Sequence, residues 1–179
     1  MNKITIKKGK HSSGLDDFPF KFFFNAKEKI YMWEVQFTEK SKYDLKDLNQ
    51  KDWNKLLGVS FSIFPKCNSL MVGWRYNIGT DKFELSPYTH DSLTGYTKYI
   101  GKGFETKNLL SVPTETKITI KYNALKNTLD FIHNDNTVRY YIINVKPRWF
   151  GREVSTYFGG NKTAPNNIEL LKSKVNVKK

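Results

Sequence analysis

The chain has 179 residues, 39% of them hydrophobic and 15% aromatic (13 Phe, 10 Tyr, 4 Trp), which suits one folded domain and excludes a disordered chain. A single cysteine, Cys67, excludes an internal disulfide framework and fits a reducing compartment; no apolar run approaches the ~18 residues of a membrane helix, and basic Met1–Lys10 lacks the apolar stretch of a secretory signal, so a cytoplasmic protein is expected. Thirty Lys+Arg against 17 Asp+Glu give a net charge of +13, which must attract anions, although only four of the thirty are the arginines that bond phosphate bidentately.

Strand signals run through the chain in order. Phe18, Phe20, Phe22 and Phe24 alternate, then Tyr31, Trp33, Val35 and Phe37, each set with the period of two that marks one buried face. Ser41 to Leu57 breaks the pattern; it reads as a long charged loop with a short helix over Asp52–Leu57. Val59, Phe61 and Ile63 resume the alternation. Next comes LMVGWRYNIGTDKFELSPYTH, Leu70 to His90, where Val72, Trp74 and Tyr76 face one way and turn residues 77–82 lead into Phe83 and Leu85. With Asn77 opposite Lys82, the register sets Arg75 against Glu84, Gly73 against Ser86 and Met71 against Tyr88. Ile118, Ile120 and Tyr122 follow, then Leu129 and Phe131, a turn at 133–136, and Val138, Tyr140 and Ile142; Tyr157-Phe158 and Ile168 to Leu170 close the series. Short strands separated by turns at this spacing predict an all-β antiparallel two-sheet sandwich or barrel. The predicted core spans about residues 18–175 as one domain with frayed basic ends.

Candidate site residues fall in three places. The polar face of the 70–90 hairpin offers Arg75, Glu84 and Tyr88, with His90 beside Tyr88 as a turn residue or proton-transfer group. As a bare cross-strand ion pair, Arg75–Glu84 is worth well under ~1 kcal/mol. Tyr157-Phe158-Gly159-Gly160-Asn161 allows a tight bend or a close backbone approach to a ligand, with Asn161 offering an amide that donates and accepts. Lys146-Pro147-Arg148-Trp149-Phe150-Gly151-Arg152 sets arginines around aromatics, as stacking on a base or sugar ring requires; Trp149 is a ligand candidate, and Arg139, Arg148 and Arg152 are anion-binding candidates.

No phosphate-binding glycine loop is present, since Gly101-Lys102-Gly103 lacks the required context. One cysteine and three scattered histidines exclude a Cys/His metal site, and no cofactor is expected.

The Trp/Tyr-rich hairpin, the alternating strands and the terminal YFGGN…AP…I segment together resemble the concanavalin A-like jelly roll, shared by legume-type lectins, laminin-G-like modules and jelly-roll glycanases and lyases, and resemble bacterial and phage members of that class without an assigned activity. The resemblance implies a jelly-roll fold. The Glu-x-Asp-x-x-Glu strand of its hydrolases and the Arg-x-Glu-Leu-Arg and Gln-Ile-His strands of its alginate-lyase-like members are missing. The expected function is therefore lectin-like, non-catalytic binding of a polar or anionic glycan. The alternatives are sequestration of a nucleotide or nucleic acid through the basic surface, and a lyase on an acidic polysaccharide.

Overall fold

The structure is a computed structural model and describes residues 1–17, 21–64, 67–90 and 109–176. Its twelve strands are β1 (Asn2–Ile6), β2 (Phe22–Phe23), β3 (Ile30–Phe37), β4 (Asn54–Ser60), β5 (Ser69–Asn77), β6 (Lys82–His90), β7 (Leu110–Val112), β8 (Lys117–Asn123), β9 (Thr128–His133), β10 (Asn136–Tyr141), β11 (Gly151–Val154) and β12 (Ile168–Lys174). They form two six-stranded sheets, β1-β12-β3-β8-β9-β10 and β2-β11-β4-β5-β6-β7. Every pairing within them is antiparallel. The chain passes repeatedly from sheet to sheet, and the partners β1/β12 in one sheet and β2/β11 in the other are wound together from opposite ends of the sequence. This is the all-β sandwich expected, and its winding fits a jelly roll.

The alternation of each strand decides which side chains meet between the sheets. Tyr31, Trp33, Val35 and Phe37 of β3 are all buried, as are Ile118, Ile120 and Tyr122 of β8. From the other sheet Val59, Leu70, Val72, Trp74, Phe83 and Leu85 face them. Phe37 stacks on Phe83 with centroids 4.2 Å apart and planes 9° apart, and Trp74 tilts onto both rings. Each such ring contributes about 1.5–3 kcal/mol by burial, with roughly 0.5–1.5 kcal/mol more per well-placed pair. Ile4 and Ile6 of β1 belong to this core. The first residues are therefore an edge strand that the lysines around them obscure in the sequence.

Three expectations change. Asp52–Leu57 is not helical: Asn54 to Leu57 opens β4, and the helix of this loop is a 3-10 turn at Leu48–Lys51, capped by the Asp47 carboxylate accepting from the Asn49 amide at 2.8 Å. A bulge between Lys55 and Leu57 lets Leu56 and Leu57 both turn inward, which mimics helical spacing. In the phenylalanine run, Phe23 packs on the core while Phe22 and Phe24 are exposed; Phe18 and Phe20 lie outside the described residues. Ile63 does not continue the inward face of Val59 and Phe61 but is exposed beyond the end of β4.

Where the sheets part, between β11 and β12, the seam is polar. The Lys172 ammonium lies 2.6 Å from both oxygens of Asp17, and Asp17 also accepts from the Thr156 amide at 2.6 Å. Lys174 pairs with Glu153 beside it. Lys172, Lys174 and Glu153 lie on the strands next to the sheet edges, β12 and β11, and each of these inward-pointing charges is satisfied by an opposite charge across the seam.

Candidate functional site

The 70–90 hairpin has the register read from sequence: Asn77 pairs with Lys82, Arg75 with Glu84, Gly73 with Ser86 and Met71 with Tyr88. Cross-strand partners share a face, so the ladder assigns the outward side of the β2-β11-β4-β5-β6-β7 sheet row by row. One row runs Phe22, Arg152, Ser60, Ser69, His90. The next runs Val154, Gly58, Met71, Tyr88. Then come Tyr157, Lys55, Gly73 and Ser86, and last Arg75, Glu84 and Ser111.

This face is less open than a two-faced hairpin suggests. Met71, Ser86, Tyr88, Ser69 and His90 are all buried. His90 is the last residue of β6, not a turn residue; its Nδ1 lies 3.1 Å from the Ser69 hydroxyl, and its ring meets Tyr88 edge-on at 5.6 Å. Half-buried around them stand Trp53, Lys55, Arg75, Glu84, Arg152, Tyr157 and His11.

Two cation–ring assemblies define the surface. In the first, Arg75 Nε donates to Glu84 Oε2 at 2.6 Å and its NH1 donates to the Lys51 carbonyl at 3.0 Å. Its guanidinium lies 4.5 Å from the Trp53 ring centroid, and Asn77 holds the other Glu84 oxygen at 2.7 Å. The pair is thus a clamp: it fastens the loop before β4 onto the hairpin and holds the half-buried Trp53 ring on this face. Trp53 can lie there because residue 73 is glycine, where a Cβ would sit 3.2 Å from Trp53 Cε3. In the second, the Lys55 ammonium sits 5.4 Å from the Tyr88 ring and 5.0 Å from the Tyr157 ring, and His11 stacks on Tyr157 at 5.1 Å with planes 6° apart. Arg152 stands along the same face, and burial lowers its guanidinium below its ordinary value; its Nε is buried and has no hydrogen-bond partner among the described residues.

The Gly159-Gly160 bend approaches its own chain. The Gly159 amide donates to Asn54 Oδ1 at 2.8 Å, and a Cβ on Gly159 would fall 2.9 Å from the Trp53 carbonyl oxygen. Gly160, in the left-handed region at φ +74, abuts the Asp52 carboxylate. Exposed Asn161 therefore emerges at the Trp53 end of the face. Arg75, Glu84, Tyr88, His90 and Arg152 share this face, Arg75 with Glu84 at one end and Tyr88 with His90 toward the other, in whose row Arg152 lies. Trp149 is 55% exposed and packs on Phe24 at 4.7 Å, at the lateral edge beyond Arg152, with exposed Arg148 next to it. Arg139 lies on β10 in the other sheet, where its Nε and NH2 both engage Asp130, at 2.7 and 2.8 Å. Sequence reading misses Trp53, Lys55, Tyr157 and His11 as a group, because a bulge and two loops bring them together rather than one strand's alternation. Among the described residues no cluster of His, Cys, Asp or Glu could hold a metal ion, and no helix is long and apolar enough to cross a membrane.

No family model matches the sequence, and no curated protein matches it. Among solved structures the chain is similar to an alginate lyase of Pseudomonas aeruginosa, with a TM-score of 0.42 and 7% identity over 85% of this chain and 65% of that one. It thus spans less than two thirds of the lyase's length. It is also similar to a protein of Saccharomyces cerevisiae of unknown function, with a TM-score of 0.45 and 10% identity over 99% of this chain and 90% of that one. Neither likeness carries a residue role across.

Proposed function

We propose that the outward face of the β2-β11-β4-β5-β6-β7 sheet is a non-catalytic recognition surface for a polar or anionic glycan, carried on a concanavalin A-like jelly roll. The observation that supports this reading is the Lys55 ammonium held at 5.4 and 5.0 Å from the rings of Tyr88 and Tyr157, on the same face as the Trp53–Arg75 stack. Sugar rings lay their C–H faces on aromatic rings and their hydroxyls and carboxylates on neighbouring polar groups, so alternating ring and cation suits a chain of acidic sugars. Titration calorimetry against oligouronates and neutral oligosaccharides tests it. Binding is expected to weaken about tenfold in Tyr157→Ala, since one ring stacked on a sugar is worth roughly 1.4 kcal/mol. Absence of binding to every glycan, or unchanged binding in both Tyr157→Ala and Lys55→Met, would count against it.

A second reading rests on the edge contact between Tyr88 and His90, two residue types able to transfer protons. A lyase would release unsaturated products from a polyuronate, and loss of that signal in Tyr88→Phe would favour chemistry over binding alone.

A further inference from the structure

Two segments distant in sequence, Lys21 to Lys29 and Lys146 to Arg152, lie side by side at the edge of the sandwich. Phe22 and Phe23 pair with Arg152 and Gly151, and the Ala26 amide donates to the Trp149 carbonyl at 2.8 Å. The two segments bring six cations (Lys21, Lys27, Lys29, Lys146, Arg148 and Arg152) against the single acid Glu28, a local charge of +5 within the chain's +13. They also expose rings: Phe22 is 50% exposed, Phe24 60% and Trp149 55%. Phe24 rests on Trp149 with centroids 4.7 Å apart, and Phe22 lies 5.6 Å from Phe150. These rings do not close the core. Phe23, turned inward, does that, packing so tightly over Gly151 that a Cβ there would fall 2.6 Å from the Phe23 ring. Exposed aromatics that cluster with one another outside the core mark a contact surface.

The arrangement of charge selects the partner. Lys21 precedes Phe22, Arg148 precedes Trp149, and Arg152 is the cross-strand neighbour of Phe22, so ring and cation alternate along the edge. An amphipathic membrane anchor gathers its rings in one layer that sinks ~5–10 Å below the headgroups, with the cations on the opposite face. Alternation instead matches a polymer in which a flat base and a phosphate recur in every unit. We propose that this edge binds single-stranded nucleic acid, with Phe24 and Trp149 stacking on bases and Lys146, Arg148 and Lys21 meeting phosphates. The edge meets the glycan face at Phe22 and Arg152, but the residues that carry and test it, Lys21, Phe24, Lys146, Arg148 and Trp149, include neither Lys55, Tyr157 nor the Trp53–Arg75 stack.

Fluorescence anisotropy of a labelled oligothymidylate over a salt series tests it, with mixed phosphatidylcholine/phosphatidylserine vesicles as a parallel arm. The logarithm of the affinity is expected to fall linearly with the logarithm of salt concentration. The double variant Phe24→Ala/Trp149→Ala should bind about tenfold or more weakly with the salt slope unchanged. Lys146→Ala/Arg148→Ala should reduce the slope by about 0.7 for each phosphate no longer neutralised. Phe24→Tyr/Trp149→Phe keeps both rings and should bind like the parent. Failure of the parent to bind the oligonucleotide, parent-like binding by the ring-deleted variant, or loss of binding in the ring-conserving variant would each overturn the proposal. Ring-dependent capture by vesicles without oligonucleotide binding would replace it with a membrane surface.

Discussion

Asp17, Lys172 and Thr156 show how much a single polar contact can decide in this fold. Burial raises the Asp17 carboxyl, but the Lys172 ammonium and the hydrogen bonds from Lys172 and Thr156 outweigh it and hold the group below its ordinary value of 3.8. A carboxyl depressed in the folded state stabilises above its unfolded value, and that contribution disappears as pH falls through the folded value. Denaturant titrations should therefore show stability dropping as the pH goes below about 4, with a smaller drop in Asp17→Leu/Lys172→Met, where the surface carboxyls Glu39, Asp47 and Asp81 still contribute. Asp17→Ala alone leaves a buried ammonium without its counter-ion and should cost about 3 kcal/mol or more, most of it recovered in the double variant. None of this is legible in the sequence, where Asp17 and Lys172 sit in segments with no shared pattern. The Arg75–Glu84 pair is legible, because strand alternation and the hairpin turn alone fix that register. What the sequence hides is the third partner, Trp53. Gly73→Ala is expected to disturb this site while sparing the fold: its Cβ would crowd Trp53 Cε3 at 3.2 Å and otherwise make ordinary contact with Tyr88 Cβ at 3.4 Å and the Ser86 carbonyl oxygen at 3.5 Å, so Trp53 should shift off Arg75 and its fluorescence should change at a cost of about 1 kcal/mol.

Among the strands, regular ones are readable and interrupted ones are not. β3, β8 and the β5–β6 hairpin carry clean alternation, which is enough to place them. The first half of β4, Asn54 to Leu57, reads as helix because its bulge puts Leu56 and Leu57 on the same side, a spacing that a period of two cannot accommodate, while Val59 in its second half reads as strand. β2 has only two residues, and its inward side chain is Phe23, the one left out by the Phe18–Phe24 alternation. The glycine of β4 follows directly from the close approach of its neighbour. A Cβ on Gly58 would lie 2.3 Å from the Leu70 carbonyl oxygen and 2.7 Å from the Met71 Cα, atoms that cannot move without breaking the β4–β5 ladder. Gly58→Ala should therefore destabilise by about 3 kcal/mol or more, far beyond the Gly73 substitution, as read by urea denaturation of the two variants side by side.

On the scale of the whole molecule, the fold class is written plainly in the sequence, and the candidate site only in part, because the site is assembled from β4, β5, β6, β11 and the loops around Trp53 and Tyr157. Patterns within a strand reveal a buried face; they do not reveal which loops drape over the other one. The N-terminal strand illustrates the same limit. Ile4 and Ile6 are fully built into the core, yet two isoleucines among lysines give too short a signal to read as a strand. Ile6→Ala should cost about 2–4 kcal/mol, measured as a shift in the denaturation midpoint, a penalty no frayed terminus would show.

The position of β12 between β1 and β3 has a further consequence. On the ribosome Ile4 and Ile6 emerge long before the strand that completes their ladder, Ile168–Lys174. The growing chain must carry β1 without a hydrogen-bonding neighbour through all the synthesis between them, and β3 with only one. Closure of this sheet is therefore a late, long-range event, and the sandwich belongs among the slow folders whose vulnerable interval lies between elongation and that final insertion.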